Sequence, residues 1–254
     1  MNKEKKEIII ECCLSSLDAA LIAQEKGCNR IELCSSLNMG GITPSYGLIK
    51  LCKENLNIDT MVMIRPREGD FLYSENEIKT MLLDIEYCKK VGVKGVVFGL
   101  LKENGEIDVE KTKCLIEAAQ DMDVCFHRAI DLTRDYFEAF SQISSLGCKR
   151  VLTSGGKNKA IDAIDNLRKV NSIYGKKIEI MAGSGISCSN IEEIYHRTGV
   201  KNFHLSAKTI TKSLMQYHND EVKMGGNIAM DEYSMFFIDE KQLMDIKKVA
   251  SNLP

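Results

Sequence analysis

The chain has 254 residues, 44% of them hydrophobic and 28% charged, with a net charge of −2 and only three prolines. A chain of this length buries roughly 70–75% of its unfolded surface on folding, so neither a disulfide framework nor a structural metal is needed to hold a core. No basic tract or aromatic–basic ladder runs through it, which argues against a nucleic-acid partner, and no apolar run reaches the ~18 residues of a membrane span.

The opening MNKEKKEIII passes from charge into a short apolar stretch without a signal-peptide pattern. An intracellular, cytoplasmic location is the expectation. Short stretches rich in Ile, Val and Phe then recur and read as strands near 7–12, 29–34, 60–65, 94–99, 123–128, 149–154, 177–183 and 202–206. Most are nearly continuous in hydrophobicity, as buried parallel strands are. Helical patterns lie between them. SLDAALIAQEKG follows the first strand, and a helix beginning near Ser45 follows the second. SENEIKTMLLDIEYCKKVG follows the third, with Ser74 and Glu77 spaced as a capping box. VEKTKCLIEAAQD, RDYFEAFSQISSLG, NKAIDAIDNLRKVNSIYG and SNIEEIYHRTG follow the fourth to the seventh. Gly27, Gly92, Gly147, Gly175 and Gly199 stand where helices end, the usual place for a left-handed residue.

Eight such alternations over 1–254 predict a single-domain α/β fold, the (β/α)8 or TIM barrel. An open doubly wound sheet is the alternative, but ECCLSS stands after the first strand where a dinucleotide-binding glycine fingerprint would be. The longest irregular piece is expected at 207–234, which holds Met215, His218, Met224, Gly225, Gly226 and Met230.

A (β/α)8 barrel does its chemistry at the carboxyl ends of its strands, and polar residues gather there. The first strand ends at Glu11, the second at Glu32 and Cys34, and the third at Arg65 and Arg67. The fifth ends at His127 with Asp131 just beyond, and the eighth carries His204 and Ser206. Strand side chains alternate between faces, so Glu32 pairs with Cys34, Cys125 with His127, and His204 with Ser206. If those faces point inward, carboxylates, guanidiniums and imidazoles converge at one end. Any one of them has an ordinary structural reading as a cap or a paired charge; the set together reads as a cleft. Glu11, Glu32, Arg65, His127 and His204 are the candidate catalytic groups, with Arg65 gripping an anion and a carboxylate and an imidazole sharing acid and base roles.

The turns TSGGKNKA and AGSGISCSN after the sixth and seventh strands could hold a phosphate on backbone N–H groups, or simply permit tight turns. With Arg67 and Ser206, their residues Ser154, Gly155, Gly156, Gly183 and Gly185 complete the candidate binding set. Ten cysteines are present and none forms a C-x-x-C pair. Cys28, Cys52, Cys88, Cys114 and Cys148 read as buried structural thiols, Cys125 as barrel interior and Cys188 as loop. Cys12, Cys13 and Cys34 stand apart at the ends of adjacent strands, where two thiolates could hold a soft monovalent metal.

The stretches GCNRIELCSSLNMGGITPS, VMIRPREGDFLYSENE, GVVFGLL, CFHRAID, RVLTSGG and FHLSAK, with VKMGG and DEY later, together resemble the CutC family, often called the copper homeostasis protein family. The similarity runs in order from about residue 7 to the end. It implies a cytoplasmic TIM barrel, a homo-oligomer (dimer or tetramer), and Cu(I) held by the thiols at Cys12 and Cys34; Cys13 is an additional thiol. This chain has Gly-Ser-Gly after the seventh strand where the family favours three glycines, and Asn29 where the family often has Asp. Two functions follow as expectations. One is copper homeostasis with copper, Cu(I), bound at strand-end cysteines and no organic cofactor. The other is acid–base chemistry of the lyase or isomerase type on a small anionic, possibly phosphorylated, metabolite.

Overall fold

The computed structural model describes residues 7–219, 221–224 and 232–254. Eight parallel strands close into a barrel in chain order. They are β1 (Ile9–Leu14), β2 (Arg30–Leu33), β3 (Asp59–Met63), β4 (Gly95–Phe98), β5 (Asp123–Phe126), β6 (Arg150–Thr153), β7 (Glu179–Gly183) and β8 (Asn202–Leu205). Helices α1 (Leu17–Glu25), α2 (Tyr46–Asn55), α3 (Glu75–Val91), α4 (Val109–Ala119), α5 (Tyr136–Leu146), α6 (Ile164–Tyr174), α7 (Ile191–Thr198) and α8 (Glu240–Ser251) surround it. Among the described residues no helix is long and apolar enough to cross a membrane.

Strand alternation divides the apolar residues into two sets. Ile10, Ile31, Val62, Val96, Phe98, Val124, Phe126, Val151, Ile180 and Phe203 face outward and pack under the helices in the large core. Full burial of side chains of this size contributes about 1.5–3 kcal/mol each. Met61, Met63, Val97, Cys125, Leu152, Met181 and Cys34 form a smaller separate cluster, the filling of the barrel itself. Below it, at the strand starts, Arg150 bonds Asp123 and Glu179, each at 3.2 Å.

The local signals behave as their chemistry requires. Ser74 and Glu77 form a complete capping box on α3. Gly27, Gly92, Gly147 and Gly199 adopt positive φ; Gly175 instead has φ −62°, a right-handed residue that any side chain could adopt. Cys28, Cys52, Cys88, Cys125 and Cys148 are buried as expected, but Cys114 is exposed, because it lies on the solvent side of α4. The stretch expected to be irregular, 207–234, instead opens with a strand, β9 (Lys208–Lys212), which pairs in an antiparallel ribbon with β10 (Ser234–Ile238) at its far end. Its strands lie more than twenty residues apart, so no local turn signal marks the pairing. Gly225, Gly226, Met230 and Asp231, named from the sequence, lie outside the described residues.

One glycine is fixed by space. A Cβ on Gly95 would fall 2.2 Å from the Asp123 carbonyl oxygen and 2.6 Å from Met61 Cε. Gly47, in contrast, is an α2 residue with open space around it. Gly95→Ala should therefore lower stability in urea by about 2 kcal/mol or more, whereas Gly47→Ala should raise it by up to ~1 kcal/mol.

Candidate functional site

The site begins where the barrel closes. Glu11 of β1 has Arg30 and His204 as its register partners on the neighbouring strands β2 and β8. Arg30 Nε donates to Glu11 Oε2, and His204 Nδ1 lies 2.8 Å from Glu11 Oε1. The other ring nitrogen of His204, Nε2, stands 3.7 Å from Glu32 Oε2. Cys34 Sγ donates to that same oxygen at 3.5 Å. All of these groups are buried, so their charges act on one another with little screening.

Burial pushes the Glu11 carboxyl up, but the Arg30 charge and the His204 hydrogen bond outweigh it and bring the pKa down to about 2. Burial alone would strip the proton from His204; the Glu32 charge prevails and raises it well above its ordinary range. Glu32 itself is raised, chiefly by burial, with the Glu11 charge adding to the effect. Burial and then the Glu32 charge also hold the Cys34 thiol protonated.

Arg65 and His127 enter from β3 and β5. Arg65 Nη1 donates to the carbonyls of Met39 (3.0 Å) and Gly41 (2.9 Å), and Nη2 to that of Gly69 (2.7 Å). Its guanidinium lies 5.0 Å from the centre of the Phe71 ring. No carboxylate pairs with it among the described residues, and its Nε has no partner. His127 caps a short 3-10 turn (Arg128–Leu132), where Nδ1 accepts the Ala129 N–H at 3.3 Å. Its Nε2 is buried without a partner among the described residues. Burial, reinforced by the Arg65 charge, brings the His127 pKa down to about 3.

These groups line one cavity of about 610 Å³, together with Cys13, Cys34, Phe71, Arg128, Asp131, Ser184, Gly185 and Ser206. That size fits a small-molecule site. Glu32, Arg65, His127, His204, Gly185 and Ser206, all named from the sequence, meet here. Glu11 lies just beneath, against His204.

Other predicted residues are placed elsewhere. Ser154, Gly155 and Gly156 do not offer a free phosphate cradle, because the fold fills it with its own carboxylate. Asp131 accepts from the N–H groups of Ser154 (2.9 Å) and Gly156 (3.0 Å), and Gly155 N–H donates to Thr153 Oγ1 (2.9 Å). Arg67 turns away to Asp70 (2.9 Å) and Glu77 (2.5 Å). Gly183 is a packing glycine, since a Cβ there would fall 2.5 Å from Leu152 Cδ1.

The cysteines divide by strand face. Cys34 points inward, but Cys12 faces outward into the helix-side core, next to Cys28, and its Sγ contacts the Ser206 carbonyl at 3.7 Å. Cys12 and Cys34 therefore do not share a face. The inward thiol of β1 is Cys13, whose Sγ lies with donor atoms of Glu32 and His204 inside a 4.8 Å group able to hold a metal. Period-two alternation from Glu11 would have selected Cys13. Asp131 and Arg30 are the other omissions from the sequence set. Arg30 was legible as the residue two before Glu32 on the same face; Asp131 acts through a turn with no pattern of its own.

A closed barrel with converging polar strand ends is the architecture of the TIM-barrel class. The model of the CutC family matches residues 8–209. A CutC family protein of Bacteroides fragilis is 44% identical over 250 residues, covering 98% of this chain and all of the relative. The copper homeostasis protein cutC homolog of Dictyostelium discoideum is 39% identical, covering 94% of this chain and 96% of that one. The crystal structure of CutC from Streptococcus agalactiae superposes with a TM-score of 0.75 at 34% identity, over 78% of this chain and 98% of that one. The chain belongs to the CutC family.

The Glu11 seam sets a pH test. Its folded pKa of about 2 lies below the ordinary 4.5, so Glu11 stabilises the fold above about pH 4.5 and loses that contribution as pH falls towards 2. A shift of this size corresponds to about 3 kcal/mol. His204 runs the other way: its raised value stabilises below its ordinary 6.5 and is lost at high pH. Glu11→Gln should cost several kcal/mol at pH 7, because it leaves Arg30 buried without its counter-ion. Urea denaturation at stepped pH should show the gap from wild type narrowing between pH 5 and pH 2.

Proposed function

We propose that this barrel binds a small anionic metabolite and performs acid–base chemistry on it, of the lyase or isomerase type. One observation carries the reading. Among the described residues Glu32 Oε1, Arg65 Nε and His127 Nε2 are buried without partners, and all three residues line the same cavity. Burying polar atoms unpaired costs about 1–3 kcal/mol each, and a ligand that bonds them removes the cost. Arg65 is suited to the anion: it is held rigidly by three carbonyls, with no carboxylate neutralising it among the described residues. Glu32, raised by burial, is suited to act as a base nearer neutral pH than an ordinary carboxylate.

A metal is the second reading, and the Cys13, Glu32 and His204 group favours it. Glu11 holds His204 Nδ1 and would leave Nε2 for an ion, the arrangement that orients metal-binding histidines. The donors are one sulfur, one oxygen and one nitrogen. Such a set suits a borderline ion such as zinc or Cu(II) better than Cu(I), which prefers soft thiolates. Copper handling thus rests on the names of the relatives and on Cys13 more than on a Cys12–Cys34 pair.

Two measurements separate the readings. In a thermal-shift screen of small phosphorylated and carboxylated compounds, wild type should gain several degrees with at least one, and Arg65→Met should lose that gain. Anaerobic Cu(I) and Zn(II) titrations should be weakened about tenfold or more by Cys13→Ser if the cluster binds metal, and left unchanged by Cys12→Ser. Loss on Cys12→Ser with no effect of Cys13→Ser would restore the outward thiol as the ligand.

A further inference from the structure

His127 is the buried titratable group whose role is most sharply defined by its surroundings. Its Nδ1 accepts the Ala129 N–H at 3.3 Å. An acceptor nitrogen carries no proton, so the imidazole holds its one proton at Nε2. The cationic form would set an N–H against an N–H there. The charged groups that act on the ring are Arg65 just beyond β3 and Arg128 from its own turn, both positive; Asp131 pairs with Arg128 at 2.9 Å, and among the described residues no carboxylate pairs with Arg65. Phe71 covers the ring at 4.8 Å between centroids. Gly99 completes the seat: a Cβ there would fall 2.5 Å from Nδ1 and 2.7 Å from Cε1. The fold thus presses the ring into place, keeps it neutral, and leaves its Nε2–H buried and unbonded at the cavity wall.

We propose that His127 acts as a neutral hydrogen-bond donor to a substrate oxygen that gains negative charge, and hence that the substrate is a small anionic carbonyl compound which is enolised in this cavity. The proposal rests on the anionic-metabolite reading above and names its substrate class. Arg65 binds the fixed anion. A Glu32 carboxylate oxygen takes the proton from the carbon next to the carbonyl; the C–H bond breaks, its electron pair forms the carbon–carbon double bond, and the carbonyl π pair moves to the oxygen. The resulting enolate oxygen receives the Nε2–H of His127. Return of the proton from Glu32 to the same carbon completes an exchange; where that carbon bears a hydroxyl, the O–H proton passes to the former carbonyl oxygen and Glu32 returns its proton to the former carbonyl carbon, which completes an isomerisation with no oxidant needed. A neutral imidazole is too weak an acid to be lost in this step, so it stabilises charge without becoming the proton donor of record.

The test has two arms. The chain contains four histidines, so 15N-histidine NMR with His127→Gln for assignment reads the ring directly. A neutral ring with its proton on Nε2 from pH 5 to 8 is expected; a cation, or a proton on Nδ1, overturns the proposal. The second arm measures binding of 2-phosphoglycolate, whose carboxylate imitates an enolate oxygen pair, against glycerol 3-phosphate, which has the same anion and no carboxylate. Wild type should prefer 2-phosphoglycolate about tenfold, the scale of one good hydrogen bond. His127→Phe and Gly99→Ala should reduce the preference to about twofold or less. His127→Gln, which keeps an N–H donor, should restore most of it. A preference unchanged in His127→Phe overturns the proposal. If neither compound binds wild type while the ring is neutral at Nε2, the donor assignment stands and the anionic-metabolite reading fails, taking the substrate class with it.

Discussion

Glu11 sits in β1 with a register partner on each side, Arg30 on β2 and His204 on β8, and each of its two oxygens bonds one of them. The β1–β8 pairing is the seam that turns a sheet into a barrel. The same carboxylate therefore ties the seam and sets the charge of the cavity floor. The Glu32 charge, helped by the Glu11 hydrogen bond, keeps His204 protonated, His204 offsets Glu32, and Glu32 in turn holds the Cys34 thiol protonated. Removing one member leaves the others buried with the wrong balance, which is why such a network is costly to break although it adds little net stability as a whole.

Across the cavity the arrangement is opposite in kind. Arg65 and His127 have neither a carboxylate partner nor complete hydrogen bonding among the described residues. On the β1, β2 and β8 side the charges face partners of opposite sign and only Glu32 Oε1 lacks a hydrogen bond among the described residues; on the β3 and β5 side a cation and an N–H donor are left open. An anion entering the cavity would be drawn to that side by charge and would leave the Glu32 oxygen facing it. The third polar centre, the turn after β6 whose N–H groups bond Asp131 from the turn after β5, shows the difference between a filled and an open site. That turn has the glycines of an anion cradle, and its anion is part of the chain.

Much of this was legible in the sequence because it depends on periodicity. Buried strand runs, glycines at helix ends and polar residues at strand ends are local patterns, and they located the barrel and placed Glu32, Arg65, His127 and His204 on one rim. The choice between Cys12 and Cys13 needed the strand face, which β1 obscures with two adjacent thiols. The fate of Ser154, Gly155 and Gly156 depended on Asp131, a tertiary partner more than twenty residues away. The β9–β10 ribbon was missed for the same reason: its pairing is long-range, and its residues are largely exposed and carry no clear alternation.

Membership of the CutC family ties the chain to proteins named for copper, yet Cys12 and Cys34, the thiol pair expected from the resemblance, do not share a face; the thiols that line the cavity are Cys13 and Cys34. What the strand ends present is a cavity with a fixed cation, a neutral donor and a buried carboxylate. Mass spectrometry of small molecules retained by the purified protein tests that account most directly, comparing wild type with Arg65→Met. Wild type should release an anionic carbonyl compound on denaturation, and Arg65→Met should release none. Stoichiometric copper in both proteins, with no anionic compound in either, would contradict it.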